Sequence, residues 1–296
     1  KVIVSKRQIQ AKEKQKKQKR TNYIINNSMY DMQWGKKTPG LLIFLIDQSG
    51  SMEVGNKHEK VVKAVQDAVW NCLLGCVNGS EIRNRFYLHI IGYGEGVNVV
   101  WSSWIGDKIL IQKLREAKNN GRSFIDGISD GVTPMASAFD KANDKIKDWI
   151  SKCQVAVTGG NWNGTPAPIV VNITDGAPVE YGMTDSEALA NTKKSAQRLL
   201  NTKTEDGNVI LFNLHLADEN SKSVLFPKEL GELDGSKEGD LLYDISSTLD
   251  DKMVLTAKRS GLETARKGSK GMIVNAGSEL IPKFISFGSA VSGVAK

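Results

Sequence analysis

Residues 41–52, LLIFLIDQSGSM, decide how this chain is read. Leu41 to Ile46 are six successive apolar residues. They suit a strand covered on both faces, because a strand with one wet face would alternate apolar and polar side chains. The run stops at Asp47, and Ser49 and Ser51 follow on alternate positions, giving D-x-S-x-S. In an open parallel sheet, ligands bind beyond the carboxyl ends of the strands. One carboxylate and two hydroxyls on a turn at that place offer three oxygens to one point, a donor set that suits a hard cation.

Working outward, two further oxygen donors fall where the same sheet edge would place them. Thr133, in GVTPM (131–135), lies on a loop before a helical pattern, and Asp175 ends the apolar run IVVNITD (169–175). Gly131 and Gly176 beside them are expected to permit tight turns and close backbone approach. Two carboxylates balance the charge of a dication, and hydroxyls add oxygens without adding charge. Mg²⁺ is six-coordinate and keeps water where protein ligands are too few, which leaves a position for an incoming carboxylate. If these groups merely capped helices, Ser51 would fit, but Asp47 and Asp175 would face each other at strand ends without compensation.

The rest of the chain alternates strand-like runs (86–91, 97–101, 169–173, 209–216 and 272–274) with helical patterns near 134–152, 185–202, 250–260 and 278–290. Val61, Val65, Ala68, Cys72 and Cys76 recur at helical spacing and read as one apolar face, with both cysteines in the core. Such alternation implies right-handed crossovers and a mostly parallel, doubly wound α/β sheet with helices on both faces. The connection at 93–96 is too short for a crossover, so it predicts a hairpin and one antiparallel edge strand. Residues 218–248, polar and rich in Gly, Asp and Lys, read as an excursion rather than a separate unit.

The net charge of +7 is uneven. Residues 1–20 hold nine Lys and Arg against Glu13 alone, a net of +8, which leaves the remainder at −1. Basicity therefore belongs to a tail, 1–28, expected to be disordered. Contact with nucleic acid is assigned to that tail if anywhere, and the domain is placed at 29–296, with Met29 a candidate native start. Three cysteines lack zinc-ligand spacing, fit a reducing compartment and point to the cytoplasm. No run approaches a membrane span.

Taken together, Asp47, Ser49, Ser51, Thr133 and Asp175 resemble the complete metal-ion-dependent adhesion site of von Willebrand factor A (VWA) domains, in order and on the corresponding elements. The resemblance covers residues 37–290. It is nearest to the cytoplasmic bacterial TerY-like branch, on LLIFLIDQSGSM, VTPMASAF, ITDGAP and LIPKFISFGSAVSG (280–293). Val132 where many members carry Gly, the length of 218–248 and the basic tail depart from the pattern. What the resemblance implies is a Rossmann-like fold with Mg²⁺, or Mn²⁺, held by those five residues. It further implies a protein partner that presents Asp or Glu, and an adaptor or scaffold role beside a protein kinase and a Ser/Thr phosphatase in a bacterial stress or defence system.

The alternatives are a cell-surface adhesin and, further off, a metal-dependent phosphohydrolase. The second lacks a general base apart from the ligands, and Ser49 stands where phosphoaspartate enzymes want a second acid, so the chain is expected not to be an enzyme. G-Y-G-E-G (92–96) joins two strands instead of opening a helix, which argues against nucleotide binding. His89 and His215 fall in strands and read as satisfied core or flank residues. Trp101 and Trp149 read as core, and Trp162 as exposed.

Overall fold

In the computed structural model, residues 29–125, 127, 131–216 and 221–290 are described. The expectations for the tail 1–28 and for the last residues of the 280–293 motif lie outside them. The chain divides into units Lys1–Asp31 and Met32–Lys296, and the second carries the fold.

At its centre is β1 (Gly40–Asp47), whose eight residues are all buried, as an uninterrupted apolar run requires. Around it stand β2 (Phe86–Tyr93), β3 (Val97–Trp104), β4 (Ile169–Thr174), β5 (Ile210–Leu216), β6 (Val224–Leu225) and β7 (Met272–Ala276), in the order β6-β7-β5-β4-β1-β2-β3. β1 pairs in parallel with β2 and β4, β4 with β5, and β5 with β7. The β2–β3 hairpin provides the expected antiparallel edge. The opposite edge closes with a second antiparallel pair, two-residue β6 on β7, which lies inside the polar excursion.

Seven α-helices are described: α1 (Lys57–Gly75), α2 (Lys108–Asn120), α3 (Met135–Thr158), α4 (Asp185–Leu200), α5 (Lys237–Ile245), α6 (Asp251–Arg259) and α7 (Ile281–Ala290). Because side chains alternate along a strand, Leu41, Ile43 and Leu45 enter the core under α3, α4 and α5. Leu42, Phe44 and Ile46 face the other way, toward α1 and α7. That second face closes on phenylalanines, with Phe212 and Phe287 ring centroids 4.8 Å apart. The small Gly288 lets α7 come down on Val171.

Two helices escaped the periodicity. α2 buries only Leu110 and Leu114, so its apolar stripe is thin, and its start is set by Asp107, which accepts from the N–H groups of Ile109 and Leu110. α5 lies inside the polar excursion, is capped by Ser236, and buries Leu241, Leu242 and Ile245 in the core. The excursion is therefore partly a core element.

Candidate metal site

Asp47 is the last residue of β1 and stands opposite Tyr93, at the carboxyl edge of the sheet. It is fully buried, and both of its oxygens are engaged: Oδ1 accepts from the Ser49 N–H at 2.9 Å and Oδ2 from the Thr174 hydroxyl at 2.7 Å. Burial pushes its carboxyl up to about 6, against the pull of those hydrogen bonds, and the nearby charge of Asp175 adds to the rise. The Ser49 and Ser51 hydroxyls lie 3.1 Å apart, and Ser51 donates to Asp175 Oδ1 at 2.7 Å. Asp47, Ser49 and Ser51, spaced two apart in the chain, and distant Asp175 thus form one hydrogen-bonded set, joined at Asp47 through the Ser49 N–H. It runs from buried Asp47 and Ser49 outward to Ser51, which is exposed.

Thr133, the fifth predicted residue, is buried on the loop before α3. Its bond across the site's border is through the backbone and goes to Val179, not to one of the other four. Its carbonyl accepts from the Val179 N–H at 3.0 Å, tying this loop to the one after Asp175. Gly131 behaves as expected, since a Cβ there would lie 2.6 Å from the backbone nitrogen of Glu95. Gly176 does not: a Cβ there would meet nothing within 4 Å, so no close approach requires it.

Two neighbours of the site went unread in the sequence. Thr174 orients Asp47 from the end of β4. Lys57 places its Nζ 3.0 Å from Asp175 Oδ2, with side-chain exposures of 10% and 0% for the two residues. A signal for Lys57 did exist: a lysine opening a helix sits at the positive end of the macrodipole, so a carboxylate nearby is to be expected.

A second feature adjoins the site. The Tyr93 hydroxyl donates to Asn172 Oδ1 at 2.9 Å, Asn172 Nδ2 to Asn213 Oδ1 at 3.0 Å, and Asn213 Nδ2 to Ser246 Oγ at 2.9 Å. The serine hydroxyl donates in turn to the Leu242 carbonyl at 2.6 Å. This buried polar chain crosses from β2 to α5. Its trace in the sequence is a single Asn inside each of two apolar strands, and the two are register partners.

No family model matches the sequence, and no curated protein matches it. Solved structures do resemble it. The open form of the pilus adhesin SpaC from Lactobacillus rhamnosus GG aligns at 13% identity over 89% of this chain and 31% of that one, with a TM-score of 0.50. The manganese-loaded TRAP protein of Plasmodium vivax aligns at 18% identity over 64% of this chain and 61% of that one, with a TM-score of 0.37. The vWF domain of the pili tip protein Mfa5 from Porphyromonas gingivalis aligns at 16% identity, covering 51% and 43%, with a TM-score of 0.33. The chain spans less than two thirds of each of these proteins.

The fold is a doubly wound, mostly parallel α/β sheet of the Rossmann-like kind, and the solved structures similar to it include a von Willebrand factor domain.

The donor set itself tests whether a metal fits. Among the described residues no group of three or more His, Cys, Asp or Glu side chains is gathered as a metal site. A soft or borderline ion that wants imidazole or thiolate therefore has no home at this edge. Two carboxylates with neighbouring hydroxyls, already drawn together and already attracting one cation in Lys57, suit a hard dication.

The remaining sequence candidates sort by burial. Cys72, Cys76 and Cys153 are free and buried, and burial lifts the Cys72 and Cys153 thiols to about 12 and that of Cys76 to about 11, so all three remain protonated and inert. His215 Nδ1 accepts from the Asn275 N–H at 3.3 Å. His89 departs from the satisfied histidine that was expected. Its Nδ1 is buried with no hydrogen-bond partner among the described residues, and burial together with Lys145 and Lys152 lowers its imidazole to about 4, so it is neutral. Trp149 is core, while Trp101 is half-buried with its N–H on Ser103. Trp162 is not the exposed anchor expected: it is half-buried, packed between Trp149 and Trp104 at centroid distances of 5.6 and 6.0 Å. No helix among the described residues is long and apolar enough to cross a membrane.

Proposed function

We propose that this chain is a metal-ion-dependent protein-binding module, in which Asp47, Ser49, Ser51, Thr133 and Asp175 hold Mg²⁺, or Mn²⁺ in its place, and a partner presents an Asp or Glu carboxylate. The observation that carries the reading is the hydrogen-bonded set Asp47–Ser49–Ser51–Asp175 at the carboxyl edge of the sheet, buried at one end and open to solvent at Ser51. When bound, the ion supplies a hard, electrophilic centre for an anionic oxygen.

The protein's own residues do the rest. Thr174 and the Ser49 N–H fix the orientation of Asp47, and the tie between Val179 and Thr133 joins the two loops that border the site. Apolar side chains on those borders support a protein partner. Val54 is 64% exposed on the segment after Ser51, and Tyr181 is 72% exposed on the loop after Asp175. Such groups beside a charged centre provide contact area that water does not favour.

The narrower reading is an adaptor or scaffold of the TerY-like kind, cytoplasmic and bacterial, serving a kinase and phosphatase pair in a stress or defence system. Its support is the resemblance of residues 41–52, 132–139 and 173–178. The same fold in a pilus adhesin supports the rival, a surface adhesin. Fractionation of cells carrying the tagged full-length protein separates the two.

Calorimetric titration with Mn²⁺ and Mg²⁺ tests the metal, with uptake expected for the wild type and lost in Asp47→Ala. Affinity capture with Mg²⁺ and with excess chelator then tests the mechanism. Recovery of the same partners under both conditions would refute it. Hydrolysis of a generic phosphate ester by the wild type, lost in Asp175→Ala, would replace this reading with a hydrolase.

A further inference from the structure

Lys57 opens α1 six residues beyond Ser51, directly after Asn56, whose backbone is left-handed at φ 56°. Two costs oppose a lysine there. The amino end of a helix repels a cation, and an ammonium taken out of water needs a paired charge. Lys57 is nevertheless buried, at 8% exposure, and its Nζ lies 3.0 Å from Asp175 Oδ2. The other oxygen of that carboxylate accepts from Ser51. Asp175 is therefore shared between the proposed ligand set and a resident cation.

We infer that Lys57 sets the affinity of the metal site, its ammonium competing with the dication for the Asp175 carboxylate. The inference rests on the reading of Asp47, Ser49, Ser51, Thr133 and Asp175 as ion ligands. The charge count decides its direction. Asp47 and Asp175 alone would balance a dication, whereas with Lys57 beside them these three side chains sum to one negative charge, so the Lys57 charge opposes the ion at the carboxylate they share. Like charges held close in a poorly hydrated site repel. The ion is thus held more loosely than by the two carboxylates alone.

The test is Lys57→Met, which keeps an unbranched stem of similar length and removes the charge. Mn²⁺ binding is measured by calorimetry on the full chain, and thermal unfolding is followed in chelator and in Mn²⁺. We expect Mn²⁺ to bind about tenfold or more tightly in Lys57→Met than in the wild type. In chelator the variant should melt below the wild type, since Asp175 loses its counter-charge, and Mn²⁺ should close that gap. If Lys57→Met fails to fold without metal, Lys57→Gln carries the same comparison, because it keeps a donor for Asp175 without the charge. Unchanged or weaker Mn²⁺ binding in both variants, with Asp47→Ala still abolishing uptake, overturns the role of Lys57 and leaves the metal site standing. Absence of Mn²⁺ uptake by the wild type and both variants overturns the inference and the metal reading together.

Discussion

Asp47 and His89 are both buried, and their protonation pulls the stability of the metal-free protein in opposite directions. The Asp47 carboxyl lies at about 6 in the fold against a usual 3.8, so the folded state binds more protons across that interval and stability falls as pH rises through it. By pH 7 the loss is about 3 kcal/mol, at about 1.4 kcal/mol for each pH unit of displacement. His89 lies at about 4 against 6.5, so the folded state binds fewer protons there and stability falls as pH drops. His58, lowered by burial, acts with the same sign as His89. Urea unfolding in chelator should therefore give a shallow pH dependence between 4 and 6.5 for the wild type. Asp47→Asn should become steadily more stable as pH rises through this range, and His89→Gln should show less of that trend than the wild type. A slope unaltered by Asp47→Asn would mean that its carboxyl is not displaced.

Elements set the spacing of these residues, and glycine at one place permits it. Gly131 brings the loop before α3 against the β2–β3 hairpin, where a methyl group would press on the Glu95 backbone, and backbone cannot swing aside as a long side chain can. Gly131→Ala should displace the Thr133 loop and weaken Mn²⁺ binding several-fold by calorimetry, while Gly176→Ala, with open space around it, should leave binding unchanged. Strand ends were readable because the apolar runs before Asp47 and Asp175 stop at a charge. Helices with a broad apolar face, such as α1 with its buried Val61, Val65, Ala68 and Cys72, were readable for a similar reason. α2 has only two buried positions in thirteen residues, too few to raise a periodic signal.

Across the whole molecule, the excursion between β5 and β7 contributes to the fold rather than decorating it. It supplies an edge strand on β7 and the helix α5, whose Ser246 cap ends the buried polar chain that starts at Tyr93. Ile245 of α5 is fully buried in the core, on a helix packed against β5 and β7. Ile245→Ala should cost about 2–5 kcal/mol in urea unfolding, the usual range for a cavity of that size. A change within error would show that the segment is an appendage after all.

The amino-acid sequence alone determined the doubly wound sheet, the strand ends and the residue types at them, because hydrophobic periodicity and its interruptions are local properties that the chain carries into any environment. It marked Asp47, Ser49, Ser51, Thr133 and Asp175 one by one. Only the tertiary structure decided that four of them join in a continuous line of hydrogen bonds, that Thr133 stands apart from that line with its backbone bonded to the loop after Asp175, and that Lys57 and Thr174 reach Asp175 and Asp47. The tertiary structure likewise withdrew Trp162 from the surface into an aromatic cluster and brought α5 into the core. Apart from the local Asp47–Ser49–Ser51 links, these are contacts between residues far apart in the chain, and whether a charge meets its counter-charge or a ring meets another ring depends on how separate elements pack, which no local pattern contains.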